Sequence, residues 1–142
     1  MIEPRLHRVT AAIEAYYGPR LLAVALFGSR VGSRARVDSD WDLLVVLVPK
    51  DPIRRDLYRE WDAQVASGIH AVLPGVSPHF VHLPGPDAEP SSLWLEVSER
   101  HAILTDPGNR LAAFLGHVRG LVDTGRFERR SVHGVSYWRR AG

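Results

Sequence analysis

Apolar and polar positions fall along the chain in blocks whose spacing switches between a helical and an extended period. From Glu3 to Tyr17, Leu6, Val9, Ile13 and Tyr16 or Tyr17 share one helical face, with Pro4 at an early position and Gly18-Pro19 as the stop. Leu21 to Phe27 contains no polar residue, the pattern of a strand covered on both faces, and a second run from Trp41 to Val48 closes at Pro49. Asp51-Pro52 supplies an N-cap followed by proline, and Ile53, Leu57, Trp61 and Val65 recur every four residues, so a helix is expected from Pro52 to about Ala66, ended by Gly68. Val76 to Leu83 reads as a third strand, placed near an edge by Pro78. A loop with three prolines follows, from Leu83 to Pro90.

Ser91 or Ser92 then caps a helix that ends near Arg100, and Ala102 to Leu104 is a short apolar stretch fit for a small strand. Asp106 caps a further helix beginning at Pro107, with Leu111, Phe114 or Leu115, Val118 and Leu121 or Val122 as its apolar stripe and Gly125 as its end. Two short β segments, Phe127 to Val132 and Val135 to Arg139, flank His133-Gly134, a pair suited to a two-residue hairpin turn. There is no internal repeat and no low-complexity segment, so residues 1–142 read as one α/β (α+β) unit with a C-terminal β-hairpin.

Composition narrows the class. The chain has 142 residues, 45% of them apolar, enough for one self-supporting core. With no cysteine, disulfide frameworks, thiolate zinc sites and thiol catalysis are excluded. The longest apolar runs are about seven or eight residues, and Met1-Ile2-Glu3-Pro4 lacks a signal-peptide pattern, so the expectation is a cytoplasmic protein without membrane association. A formal charge of +2 does not argue for nucleic acid. Residues 126–142 nevertheless hold five arginines against one glutamate, either the charged guards of an edge hairpin or a basic surface.

The candidate chemistry lies between the first two strands. Leu26-Phe27-Gly28-Ser29-Arg30-Val31-Gly32 leaves the first strand through a glycine-bearing turn, and a polar stretch with Arg34 and Arg36 leads to Asp38-Ser39-Asp40-Trp41-Asp42 at the head of the second. Gly28 and Gly32 permit a tight turn with backbone N–H groups aimed at a ligand, and Ser29 to Arg34 suits a short helix whose N-terminus favours an anion. In an extended strand Asp40 and Asp42 project the same way, and a divalent cation relieves their repulsion.

The pattern Gly28-Ser29-Arg30-x-Gly32, then Ser39-Asp40-Trp41-Asp42-Leu43 and an apolar strand, resembles the nucleotidyltransferase superfamily related to DNA polymerase beta, and more closely its minimal nucleotidyltransferases (MNT). Val76-Ser77-Pro78, Leu93-Trp94-Leu95-Glu96-Val97, Ala102-Ile103-Leu104-Thr105-Asp106 and the ending Tyr137-Trp138 are similar to such proteins in order and spacing. The resemblance implies a small mixed sheet flanked by helices and nucleotidyl transfer from a nucleoside triphosphate. It implies Gly28 and Ser29 as the phosphate-contacting pair, with Arg30 as a further nucleotide contact, and Asp40 and Asp42 as catalytic carboxylates holding Mg²⁺, two ions in the usual scheme. It also implies a HEPN-type helical protein as a natural acceptor, since some relatives act as antitoxins by nucleotidylating such toxins, typically on tyrosine.

One part of that pattern is missing. Active members usually carry a third carboxylate on a neighbouring strand, and Ser77-Pro78-His79-Phe80-Val81-His82-Leu83 contains no acid. His79 or His82 is a candidate replacement as base or ligand, and Asp87 or Glu89 a candidate to swing in from the loop; Glu96 reads as a solvent-facing helix residue. Three functions follow: an NMP transferase, with AMP from ATP as the first expectation, acting on a protein or small-molecule hydroxyl; a catalytically weak or inactive nucleotide- and partner-binding regulator; and, ranked last, a nucleic-acid module using the arginine-rich tail.

Overall fold

The polar-free run Leu21–Phe27 and the run that opens at Trp41-Asp42 form the centre of the sheet. In the computed structural model, which describes residues 2–31, 40–85 and 87–141, β1 (Leu21–Phe27) and β2 (Trp41–Leu47) are antiparallel neighbours. β3 (Val76–Val81) runs parallel to β2, and β4 (His101–Thr105) antiparallel to β1, giving a mixed four-stranded sheet in the order β3-β2-β1-β4. Pro78 therefore lies on an edge strand, where its missing N–H is tolerated.

Alternation along the central strands divides the core in two. Val24, Leu26, Leu43, Val45 and Leu47 face α1 (Arg5–Tyr17), α2 (Arg55–Gln64) and α3 (Ala66–Val72), burying Leu6, Val9, Ile13, Trp61 and Ile69 with them. Ala23, Ala25, Leu44 and Val46 face α4 (Ser92–Glu99) and α5 (Arg110–Asp123) through Trp94, Val97, Leu111 and Leu115. Both faces are covered, which is why neither strand needs polar alternation. β5 (Phe127–Val132) and β6 (Val135–Arg140) form a separate hairpin closed in register Val132↔Val135, with His133 and Gly134 both at positive φ as the expected two-residue turn requires. Among the described residues no helix is long and apolar enough to cross a membrane.

Three boundaries differ from the expectation. The second helix begins at Arg55 rather than Pro52, because Asp51 is not a cap: its carboxylate accepts from Arg20 Nε at 2.6 Å. Gly68 does not end the helical region. It lies inside α3, beyond a break at Val65, and the four-residue spacing of Val65, Ile69 and Leu73 continues through it. Burying Ile69 and Leu73, about 2 kcal/mol each, outweighs the roughly 1 kcal/mol that glycine costs in a helix. Finally, α5 starts at Arg110, three residues after Pro107, with Asn109 in the left-handed region; Asp106 still caps it at a distance, accepting from the Leu111 and Ala112 N–H groups at 3.2 and 2.8 Å.

Candidate active site

Antiparallel pairing brings the end of β1 against the start of β2, with Phe27 opposite Asp42. Gly28 follows at φ +82°, and a Cβ there would meet Asp42 Oδ2 at 2.8 Å. The positive φ is what calls for glycine, and Asp42 Oδ2, the free end of its side chain, closes on the space a Cβ would take, so the turn and the acid lie side by side. Ser29–Val31 form one 3-10 turn, closed by Val31 N–H to the Gly28 carbonyl at 3.2 Å, and Ser29 is exposed. The remainder of the expected short helix, with Gly32, Arg34 and Arg36, lies outside the described residues.

Asp40 stands one residue ahead of β2, exposed, with Oδ1 3.9 Å from the Cβ position of Gly75. Asp42 is half-buried and meets His79 on β3: Nε2 lies 3.2 Å from Oδ1. The imidazole also stands edge-on to Phe27, ring centroids 5.0 Å apart. Of the two histidines considered on sequence, His79 reaches the carboxylate. His82 does not: its Nε2 lies 2.6 Å from the Asp51 carbonyl oxygen, at the opposite end of the sheet. Glu89 is engaged by Arg140 at 2.6 Å. Among the described residues no group of three His, Asp or Glu side chains assembles, so neither Asp87 nor Glu89 completes a cluster with Asp40 and Asp42.

Arg30 is placed differently from the other expected contacts. Its guanidinium lies 4.3 Å from the Trp41 ring centroid, and Trp41 packs against the core on the α1–α3 side of the sheet, whereas Asp42 belongs to the other face. On the face of Asp42, a cleft of about 680 Å³ opens between Gly28-Ser29 and the hairpin, with Leu93, Glu96, Glu99 and Arg129 on its wall. Glu96 is not merely solvent-facing. Its Oε1 accepts from Arg129 Nη2 at 2.7 Å and from Trp138 Nε1 at 2.9 Å, while Glu99 Oε2 accepts from the same Arg129 nitrogen at 2.9 Å. These hydrogen bonds, Glu96 first, raise the Arg129 pKa. The wall escaped the sequence reading because its partners are 30 to 42 residues apart; the available signal was the i,i+3 spacing of Glu96 and Glu99, which places both on one helix face.

The donors suit a hard cation. Mg²⁺ is commonly bound through one or two carboxylates with substrate phosphates and water; Asp40 and Asp42 carry oxygen donors of that type, and among the described residues no third His, Asp or Glu forms a metal-holding group with them.

No protein-family profile and no curated protein matches the chain. Solved structures do. A chain of a toxin–antitoxin complex with AMP-PNP is 19% identical, with a TM-score of 0.57 over 83% of this chain and 87% of that one. A chain of a double Asp-to-Glu mutant of the toxin–antitoxin pair MntA-HpeT is 15% identical, with a TM-score of 0.56 over the same shares, 83% and 87%. A Tyr-to-Ala mutant of that pair gives 17% and 0.53 over 84% and 86%. What is shared with them is the fold: a mixed sheet flanked by helices, ending here in a C-terminal hairpin.

Proposed function

We propose that the chain is a metal-dependent nucleotidyltransferase that moves an NMP, AMP in the first instance, from a nucleoside triphosphate to a hydroxyl of a HEPN-type helical protein, as the antitoxin of such a pair. The observation that carries this reading is the contact between the phosphate-type turn and the carboxylate, with Asp42 Oδ2 closing on the space a Cβ on Gly28 would take. Support comes from the fold shared with toxin–antitoxin chains, one of them in a structure with AMP-PNP.

In the reaction the acceptor oxygen forms a bond to the α-phosphorus while the bond to the bridging oxygen of pyrophosphate breaks, and the hydroxyl proton is lost to solvent water. The Gly28-Ser29 turn binds and orients the phosphates through backbone N–H groups and the Ser29 hydroxyl. Asp40 and Asp42 would hold Mg²⁺, which when bound would neutralise charge on the phosphoryl oxygens. His79 acts as a positioning residue: a ring that donates Nε2–H to Asp42 Oδ1 orients that carboxylate and cannot take a proton at the same nitrogen.

Incubation with α-labelled ATP, Mg²⁺ and a purified HEPN-type partner should place label on the partner, with Asp42→Asn lowering the rate about a hundredfold or more, the scale of losing one pre-organised charged group. Label transfer undiminished by Asp42→Asn would refute the site. The second reading, a nucleotide-binding regulator without turnover, is favoured by the acid-free β3. It predicts Mg²⁺-dependent ATP binding with no label transfer to any hydroxyl.

A further inference from the structure

We infer that the cleft between the Gly28-Ser29 turn and the hairpin is a ribose subsite, in which Glu96 and Glu99 accept hydrogen bonds from the sugar hydroxyls. It rests on the nucleotide reading above and adds which part of the nucleotide this wall recognises.

The cleft, about 680 Å³, has the size of a small-ligand site and two chemically unlike ends. At one end is the turn suited to phosphate. At the other, two carboxylates from α4 stand on one helix face, close enough to serve a single small group. The cation between them is already engaged: Arg129 donates to both glutamates and lies 4.9 Å from the Trp138 ring centroid. Arg100 also lines the cleft, so the wall carries a second cation, and what the two glutamates add to it is acceptors that suit O–H donors.

The carboxylates are also held in place with capacity left over. Every hydrogen bond to them from described residues lands on Glu96 Oε1 or Glu99 Oε2: Arg129 and Trp138 on the first, Arg129 Nη2 and Nε on the second at 2.9 and 3.3 Å. Among the described residues, Glu96 Oε2 and Glu99 Oε1 accept none. A ribose carries two adjacent O–H donors, and acceptance of sugar hydroxyls by an acidic side chain is established chemistry in dinucleotide sites. The apolar surface of Phe27 and Leu93 lines the same cleft beside the turn.

Calorimetry in the presence of Mg²⁺ with ATP, 2′,3′-dideoxy-ATP and inorganic tripolyphosphate tests this on the intact chain. The wild type should bind ATP about tenfold more tightly than the dideoxy analogue, the worth of one charge-assisted hydrogen bond. Glu99→Ala should remove that difference and leave tripolyphosphate binding unchanged. Equal affinity of the wild type for ATP and dideoxy-ATP overturns the ribose assignment while the phosphate site stands. A Glu99→Ala variant that weakens all three ligands alike also overturns it, since the effect would not lie at the sugar. Failure of the wild type to bind both ATP and tripolyphosphate overturns the nucleotide reading itself.

Discussion

Two arginines share one chemical setting at opposite ends of the sheet. Arg20, in the turn before β1, donates Nε to Asp51 at 2.6 Å and Nη1 and Nη2 to Glu60 at 2.8 and 2.9 Å, and lies 5.1 Å from the Tyr17 ring centroid. Arg129 is likewise held by two carboxylates and an aromatic ring, at Glu96, Glu99 and Trp138. What differs is the rest of the holding. Arg20 joins elements that a continuous core already fastens, through Tyr17, Leu47, Leu57 and Trp61. Arg129 joins the hairpin to α4, and of the hairpin's own side chains only Phe127 is buried. The same interaction reinforces a core at one end and tethers a module at the other. Its consequence depends on what else would hold if it were removed.

The largest effect should come at the core end. Arg20→Leu leaves Asp51 and Glu60 without their shared cation and, with the acids better buried than those at Arg129 but the guanidinium a third exposed, should cost about 2.5 kcal/mol, or roughly 8 °C in Tm by calorimetry. A Tm unchanged within 2 °C, on the order of a neutral surface substitution, would break the comparison there.

Acid should expose the same clamp next. Hydrogen bonding from Arg20, then from Tyr16, holds the Glu60 carboxyl down at about 2 from its ordinary 4.5. A depressed pKa favours the folded state above the ordinary value and loses that contribution as pH falls through the folded one. The stability lost between pH 4.5 and 2 should be about 2 kcal/mol after allowance for solvent screening. Urea titrations in that window should show Glu60→Gln lacking this part of the pH slope; an identical slope would remove Glu60 from the clamp.

At the hairpin, Arg129→Ala should cost only about 1 kcal/mol globally, since the ion pairs are a third or more exposed. Its amides in β5 and β6 should nonetheless exchange with solvent about tenfold faster, because a two-stranded hairpin is marginal alone. Unchanged exchange would show that Phe127 suffices. The smallest effect is expected for Trp138→Phe, which keeps a ring for Arg129 but removes the donor to Glu96: about 0.5 kcal/mol, with hairpin exchange only slightly faster.

Much of this architecture is legible from local pattern. The apolar run of β1, the run Leu43–Leu47 within β2, the proline that sends β3 to the edge and the His133-Gly134 turn each specify their element through neighbours in sequence. The errors share a cause. Asp51 looks like a cap until Arg20 claims it, and Gly68 looks like a stop until Ile69 and Leu73 are buried, so tertiary partners overrule local signals in both cases. At the site, the placement of Gly28 and Asp42 follows from strand pairing, whereas the choice of His79 over His82 needed the register of β3, in which His79 aligns with Leu44. Arg30 sits beside the motif in sequence, yet its ring partner Trp41 draws it toward the other face.

Pro78 has a consequence beyond marking an edge. Among the described residues β3 has no strand on its outer side, where the Phe80 N–H donates instead to the Tyr58 hydroxyl at 3.2 Å, and an unpaired strand edge is a template for a neighbour's backbone. A residue without N–H interrupts the ladder midway, so a strand from a second molecule docking there would leave a carbonyl unmatched. On the β3 side the sheet is blocked chemically, so Pro78 protects one edge only; the other edge, β4, carries no proline.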